Sequence, residues 1–100
     1  MAKPPTSSEK TFREHFARQG LRATRWSNNP RAVYPIHKHP YRKFLAVLSG
    51  GITFTVEGPK RVVIALKPGD QLEIPPRTPH SARVGPKGVA CLEAQADAAG

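Results

Sequence analysis

The sequence contains only one cysteine, few acidic residues and no long apolar segment. Because Cys91 has no second cysteine to pair with in the chain, stability must come from packing, and a reducing compartment such as the cytoplasm is expected. No apolar run approaches the roughly 20 residues of a membrane helix, and the N-terminal stretch MAKPPTSSEK lacks the apolar block of a signal peptide. We therefore expect a cytoplasmic protein without a membrane partner, in which Cys91 is a buried apolar residue rather than a nucleophile.

The shortage of acidic residues leaves a strongly basic chain. Sixteen Lys and Arg residues stand against seven Asp and Glu, which gives a formal net charge of +9 and favours anionic partners. The basic residues are spread along the chain without a compact block or a nucleic-acid-binding motif, so solubility explains the charge better than nucleic-acid binding does. Hydrolase and kinase chemistry are disfavoured, since the sequence shows no Ser/His/Asp order, phosphate-cradling glycine loop or close carboxylate pair.

The length of 100 residues fits a single domain with one modest core. Residues 1–20 are expected to form a polar leader and a short helix over about residues 8–19. Phe12 and Phe16 lie one helical turn apart in that segment, and Gly20 is placed to end the helix. Residues 21–97 are expected to form a β-barrel, and the alanine-rich tail Ala94–Gly100 is expected to fray.

After Gly20, proline and glycine recur every several residues between short segments rich in Val, Ile, Leu, Phe and Thr, which is typical of many short strands. The turn tripeptide Pro68–Asp70 and the glycine pair Gly50-Gly51 are interpreted as turns between strands. The fold class indicated is all-β, a small barrel or jelly roll with one N-terminal helix. The predicted strands cover residues 21–27, 32–37, 43–48, 52–57, 61–66, 71–74, 80–84 and 89–94.

Three histidines lie in or beside these strands. Residues i and i+2 of an extended segment point to the same side, so His37 and His39 can present two imidazoles to one cavity. His80 follows a turn stiffened by three prolines and could be a third ligand. Imidazole suits Zn, Fe, Mn, Ni or Cu. The H-x-H spacing by itself is also typical of an ordinary polar strand surface.

Over nearly everything after the helix, the chain resembles the cupin family. The first cupin motif is usually written G-x5-H-x-H-x(3,4)-E-x6-G, and the second G-x5-P-x-G-x2-H-x3-N. Six positions match in order and spacing: His37, His39 and Gly50 in the first motif, and Gly69, Pro75 and His80 in the second. The resemblance implies a double-stranded β-helix, or jelly-roll barrel, and a metal site at the histidines.

Four positions depart from the motifs. Arg31 and Arg77 replace glycines, Val84 replaces the closing asparagine, and Lys43 stands where the family has its glutamate ligand. The four-ligand His/Glu site that the resemblance implies is therefore not intact. A protonated lysine cannot ligate a metal, and it would repel a dication placed close by.

Three states of the site remain open. A divalent transition metal (Zn, Fe, Mn or Ni) could bind His37, His39 and His80, with Lys43 and Arg77 orienting an anionic substrate of an oxygenase, isomerase or lyase. The pocket could instead bind a small anion without metal, as a sensing module without catalysis. It could also be an inherited shell whose residues only hydrogen-bond one another.

Other residues near the site have weaker signals. Tyr34 and Tyr41 flank the histidine pair, so either could offer a hydroxyl to a ligand. Trp26 is expected in the core of a small barrel. Glu93, the one carboxylate in 89-VACLEA-94, could face the cavity, but a surface position at a strand edge is favoured over that.

The strand over residues 43–48 is apolar on both faces. Phe44, Ala46 and Leu48 alternate with Leu45 and Val47, and a strand that is apolar on both sides is covered on both sides. A homodimer that pairs through this strand face is therefore expected, with a small anionic molecule as the other partner.

Overall fold

The computed structural model describes residues 5–97, with side chains from residue 9 onward. It contains one helix and six strands: α1 (Pro5–Arg18), β1 (Thr24–Asn28), β2 (Val33–His37), β3 (Arg42–Val56), β4 (Val62–Leu66), β5 (Gln71–Ile74) and β6 (His80–Ala96). Within this part of the chain, α1 is not long and apolar enough to cross a bilayer. The first four residues of the predicted leader and the last three of the tail lie outside the described residues.

Helix α1 ends as the sequence predicts. Gly20 has a φ of 77°, a left-handed conformation that glycine adopts at little cost. Its N–H donates to the carbonyl of Ala17, and the N–H of Leu21 donates to the carbonyl of Phe16, at 2.9 Å in each case. These two bonds satisfy carbonyls that the helix end would otherwise leave unpaired. The helix lies over Pro5–Arg18 rather than residues 8–19.

Two long strands replace four of the eight predicted strands. The segments predicted at 43–48 and 52–57 form the single strand β3, and those predicted at 80–84 and 89–94 form β6. The glycine pair Gly50-Gly51 was interpreted as a turn, and that prediction is wrong. Both strands continue through the glycine-containing stretch, where their pairing register shifts. The sequence cannot distinguish a bend from a turn here, because both use the same residues.

The bend divides one antiparallel sheet into two four-stranded halves. One half has the order β1-β6-β3-β5 and uses residues 89–93 of β6, and the other has the order β2-β6-β3-β4 and uses residues 80–84. The inward side chains of both halves form one core. The molecule is therefore a jelly-roll barrel, as the sequence predicts. The buried core residues are Leu45, Val47, Ile52, Phe54, Leu66, Ile74, Ala82, Val84, Val89 and Cys91.

Helix α1 covers the outer face of the half that contains β1 and β5. Phe16 is buried there against Ala46, Leu48 and Leu92, with Phe12 and Phe44 packed around them. The strand that is apolar on both faces is thus covered on its second face by the helix of the same chain. The argument from this face to a homodimer no longer holds, because no second copy is needed to cover it.

Candidate metal centre

Three different elements bring the histidines together. His37 ends β2, His39 lies in the loop that follows, and His80 begins β6 opposite His37 in the antiparallel register. Their ring centroids lie 4.8 Å apart for His37 and His39, 4.4 Å for His37 and His80, and 5.0 Å for His39 and His80. One ring nitrogen from each residue lies within 4.8 Å of the others, so the cluster could hold a metal ion.

Two of the imidazoles are oriented by backbone carbonyls. Nδ1 of His37 donates to the carbonyl of Pro35 at 2.7 Å, and Nδ1 of His80 donates to the carbonyl of Thr78 at 2.8 Å. A carbonyl oxygen can only accept, so the proton of each neutral ring is on Nδ1 and the lone pair is on Nε2. This is the arrangement in which a histidine usually ligates a metal through Nε2.

Nε2 of His80 is the atom that most needs a partner. The His80 side chain is only 1% exposed, and Nε2 is buried without a hydrogen-bond partner among the described residues. A buried polar atom without a partner costs roughly 1–3 kcal/mol. His80 lies in the same cluster as the other two imidazoles, so a metal ion bound through this nitrogen would satisfy its lone pair. The donor set therefore fits a divalent transition metal.

The surroundings also favour neutral imidazoles at His39 and His80. Burial lowers the pKa of His80 from its usual value, and the charges of His37 and Lys43 lower it further, against the opposing hydrogen bond to Thr78. Burial likewise lowers the pKa of His39, and Lys43 is the next cause. The negative charge of Glu93 works in the other direction on the pKa of His39. Neutral rings keep the lone pairs that metal binding requires.

A cavity of about 390 Å³ adjoins the cluster. Lys43, the residue at the family's glutamate position, points into it and pairs with Glu93, with 3.4 Å between Nζ and Oε1. Trp26 donates from Nε1 to the same oxygen at 3.0 Å. The residues that line this cavity are Trp26, Ser27, Tyr34, His37, Lys43 and Glu93.

The surface position favoured for Glu93 is therefore wrong, since its side chain is only 17% exposed and lines the cavity. Strand alternation contained the signal, because Glu93 shares its face of β6 with Val89 and Cys91, which are both in the core. The outward residues Ala90, Leu92 and Ala94 are apolar too, so the sequence alone did not show which face was the inner one. Trp26 packs against the core as expected, and it also lines the cavity.

The other predicted ligand-binding residues have different positions. Tyr34 lines the cavity, and its hydroxyl accepts a hydrogen bond from Nδ2 of Asn28. Tyr41 stacks on His39 with 4.6 Å between the ring centroids, and burial raises the pKa of its phenol. The Arg77 side chain is exposed and stands outside the residues that line the cavity. Its backbone N–H instead donates to the carbonyl of His39 at 2.6 Å.

Cys91 is a core residue and not a nucleophile. The side chain is fully buried in the barrel, and burial raises the pKa of the thiol to about 12. The thiolate, which is the reactive form, is therefore negligible at neutral pH. The sequence-based expectation of a buried apolar role agrees with this position.

Comparison with known protein families identifies the family to which this chain belongs. The sequence profile of the cupin domain matches residues 25–92, which is more than half of the chain. The chain therefore belongs to the cupin family. This match includes all three histidines, Lys43 and most of β6, and it leaves out helix α1. A search of curated protein sequences finds no significant match.

Solved structures with the same fold include oxalate decarboxylases. The Bacillus subtilis enzyme at pH 4.6 is 20% identical with a TM-score of 0.71, over 80% of this chain and 22% of that chain. The Lactobacillus farciminis enzyme in a formate complex is 18% identical with a TM-score of 0.71, over 77% and 23% of the two chains. The present chain thus spans less than a quarter of these enzymes, and at these identities the similarity concerns the fold.

Proposed function

We propose that this protein binds a divalent transition metal ion through His37, His39 and His80, and a small anionic organic molecule in the adjacent cavity. The buried Nε2 of His80 is the observation that carries the proposal, since its lone pair has no protein partner among the described residues. Similarity to the Bacillus subtilis oxalate decarboxylase, which has Mn(II) centres, supports Mn as one of the ions to test, beside Zn, Fe and Ni.

The ligand-binding part of the proposal depends on Lys43. Its ammonium group has three donors, and its described ion pair with Glu93 engages one side of it. A carboxylate or phosphate that enters the cavity can therefore accept a charge-assisted hydrogen bond from Lys43. Tyr34 and Trp26 supply the walls beside it. We do not assign Arg77 to the ligand, because its side chain lies outside this cavity.

The proposal extends to metal-dependent chemistry on the bound anion, of the oxygenase, isomerase or lyase type. When bound, the metal supplies Lewis-acid or oxygen chemistry. The residues of this chain would hold the ion and orient the anionic group through Lys43. The oxalate decarboxylases with the same fold act on a small carboxylate, which supports this substrate class.

A second candidate is a metal-free module that binds a small anion. The observation that favours it is Lys43, which places a cation where the cupin motif has a carboxylate ligand. In that case Lys43 would bind the anion directly, and the imidazoles would contribute only as Nε2–H donors, because the Nδ1–H groups of His37 and His80 already donate to backbone carbonyls. The two candidates differ in whether the histidine cluster takes up metal.

Metal analysis of the untagged protein tests the proposal. After incubation with Mn²⁺ or Zn²⁺ and removal of free ions, the wild-type protein should retain about one equivalent, because the three clustered imidazoles form one site. His80→Ala should lose this metal, since it removes the most buried ligand. His15→Ala is the matched control, because His15 lies on α1 and its loss should leave the metal content unchanged.

Two results would decide against the metal. Wild-type protein that retains no stoichiometric metal would favour the metal-free module. Equal metal content in the wild type and His80→Ala would place the bound metal elsewhere on the protein.

A further inference from the structure

The ion pair between Lys43 and Glu93 differs from the other ion pairs of the described residues. The Lys43 and Glu93 side chains are 11% and 17% exposed, whereas the other pairs include at least one side chain that is more than 35% exposed. Water screens an exposed pair but screens a buried one much less. The charges of Lys43 and Glu93 therefore act strongly on their surroundings, which include His37 on the wall of the same cavity.

Glu93 is the fixed partner of this pair. Its Oε1 accepts from Nε1 of Trp26 at 3.0 Å, and its Oε2 accepts from Nε2 of Gln95 at 3.5 Å. Lys43, by contrast, has a flexible four-carbon stem, and its described ionic partner is Glu93. The carboxylate thus fixes where the ammonium group lies, rather than the reverse.

The two residues have opposite effects on positive charge at the histidine cluster. Lys43 and Glu93 both line the cavity that His37 also lines, so a positive and a negative charge lie together beside the position where a metal ion would be held. A dication bound by the imidazoles would meet the same two influences. Without Glu93, the positive charge of Lys43 would act against metal binding with no negative charge to balance it.

We infer that Glu93 is a positioning residue that neutralises and holds Lys43, and that this ion pair is what makes the three-histidine cluster compatible with a dication. The inference rests on the proposed metal site and adds a residue to it. Glu93 thereby compensates for the replacement of the family's glutamate by Lys43. It does so from β6, whereas Lys43 lies in β3, and it does not itself bind the metal.

Metal affinity in a double-mutant cycle tests this inference. Dissociation constants for Zn²⁺ or Mn²⁺ are measured by calorimetric titration of the wild type, Glu93→Gln, Lys43→Met and the double variant. Glu93→Gln keeps an amide oxygen that can accept from Trp26 but leaves Lys43 unpaired. We expect Glu93→Gln to weaken metal binding by about tenfold to a hundredfold, because the positive charge of Lys43 beside the site is then no longer balanced.

The double variant separates charge from structural damage. Lys43→Met removes the repelling charge with a stem of similar length, so Lys43→Met/Glu93→Gln should bind metal within about threefold of the wild type, because both charges are gone. If Glu93→Gln instead acts by disturbing the fold, the second substitution will not restore affinity. Circular dichroism confirms that each variant is folded.

Glu73→Gln is the matched control. Glu73 pairs with Arg42 at 2.6 Å, but the two side chains are 51% and 39% exposed, so its loss should leave metal affinity unchanged. Wild-type affinity in Glu93→Gln would overturn the inference and leave the metal site standing. Absence of metal binding in the wild type would overturn the proposed metal site and the inference together.

Discussion

Arg31 and Arg77 adopt a backbone conformation that glycine ordinarily provides. Their φ angles are 63° and 55°, and they are the two residues that replace glycines of the cupin motifs. The left-handed conformation has therefore been kept although the glycines have not, at a cost of roughly 1–2 kcal/mol for each residue with a Cβ. Arg77 shows what the conformation achieves, because its N–H then donates to the carbonyl of His39.

Replacing Arg31 by glycine should relieve this strain. Arg31→Gly is expected to raise the free energy of unfolding by up to about 1 kcal/mol. The substitution removes the strain of the left-handed backbone, but glycine has more conformational freedom in the unfolded chain, and this offsets part of the gain. Arg83→Gly is the control, since Arg83 is also exposed but lies in the extended strand β6, and it should lose about 0.5–1 kcal/mol. Urea denaturation measures both changes. A loss of stability in Arg31→Gly as large as in the control would contradict the strain argument.

At the scale of elements, the bends of β3 and β6 lie directly against each other. Gly50 has a φ of 72°, and a Cβ on it would lie 2.0 Å from the carbonyl oxygen of Gly88. No real Cβ atom is found so close to another atom, so a side chain at Gly50 would have to push the two long strands apart. The joint between the two halves of the barrel is thus fixed by a close backbone contact.

Gly50→Ala should therefore destabilise the barrel strongly. We expect the free energy of unfolding to fall by about 2–5 kcal/mol, from the left-handed backbone and the overpacking together. Gly20→Ala is the matched control, because its φ of 77° is similar but nothing lies within 4 Å of a Cβ there. It should lose only about 1–2 kcal/mol. Chemical denaturation that shows equal losses would mean that the contact with Gly88 relaxes at no cost.

Much of this arrangement could be predicted from the sequence. The alternation of apolar residues indicated the strands, the spacing of Phe12 and Phe16 indicated the helix, and the motifs indicated the three histidines. Continuity of β3 and β6 could not be predicted, because glycines at a bend and at a turn look alike. The position of α1 could not be predicted either, and for this reason the apolar face that it covers was assigned to a second copy.

The acidic residue of the site escaped prediction for a related physical reason. Both faces of the last strand are apolar, so the sequence did not show that Glu93 points inward. Its partner Lys43 is distant in sequence, and the two meet only because β3 and β6 are neighbours. A pairing between strands that are far apart in the chain is a property of the fold and has no local signature.

At the scale of the whole molecule, the homodimer stays a prediction. Among the described side chains, the large apolar ones that remain exposed are Val33 and Ile36 on β2 and Val62 and Val63 on β4. Each of these strands pairs with one described strand, which leaves an edge open. Light scattering coupled to size-exclusion chromatography should give twice the mass of one chain. A monomeric mass at micromolar concentration would contradict the dimer.

The two long strands also determine how the molecule comes apart. Because β3 and β6 each run through both halves of the sheet, the loss of either strand disrupts the pairing of both halves at once. The site draws on both halves, with His80 in one and Lys43 and Glu93 in the other. Occupancy of the site is therefore coupled to global unfolding. Binding there adds its free energy to the stability of the entire barrel, so amide exchange should slow even in strands that never touch the ligand.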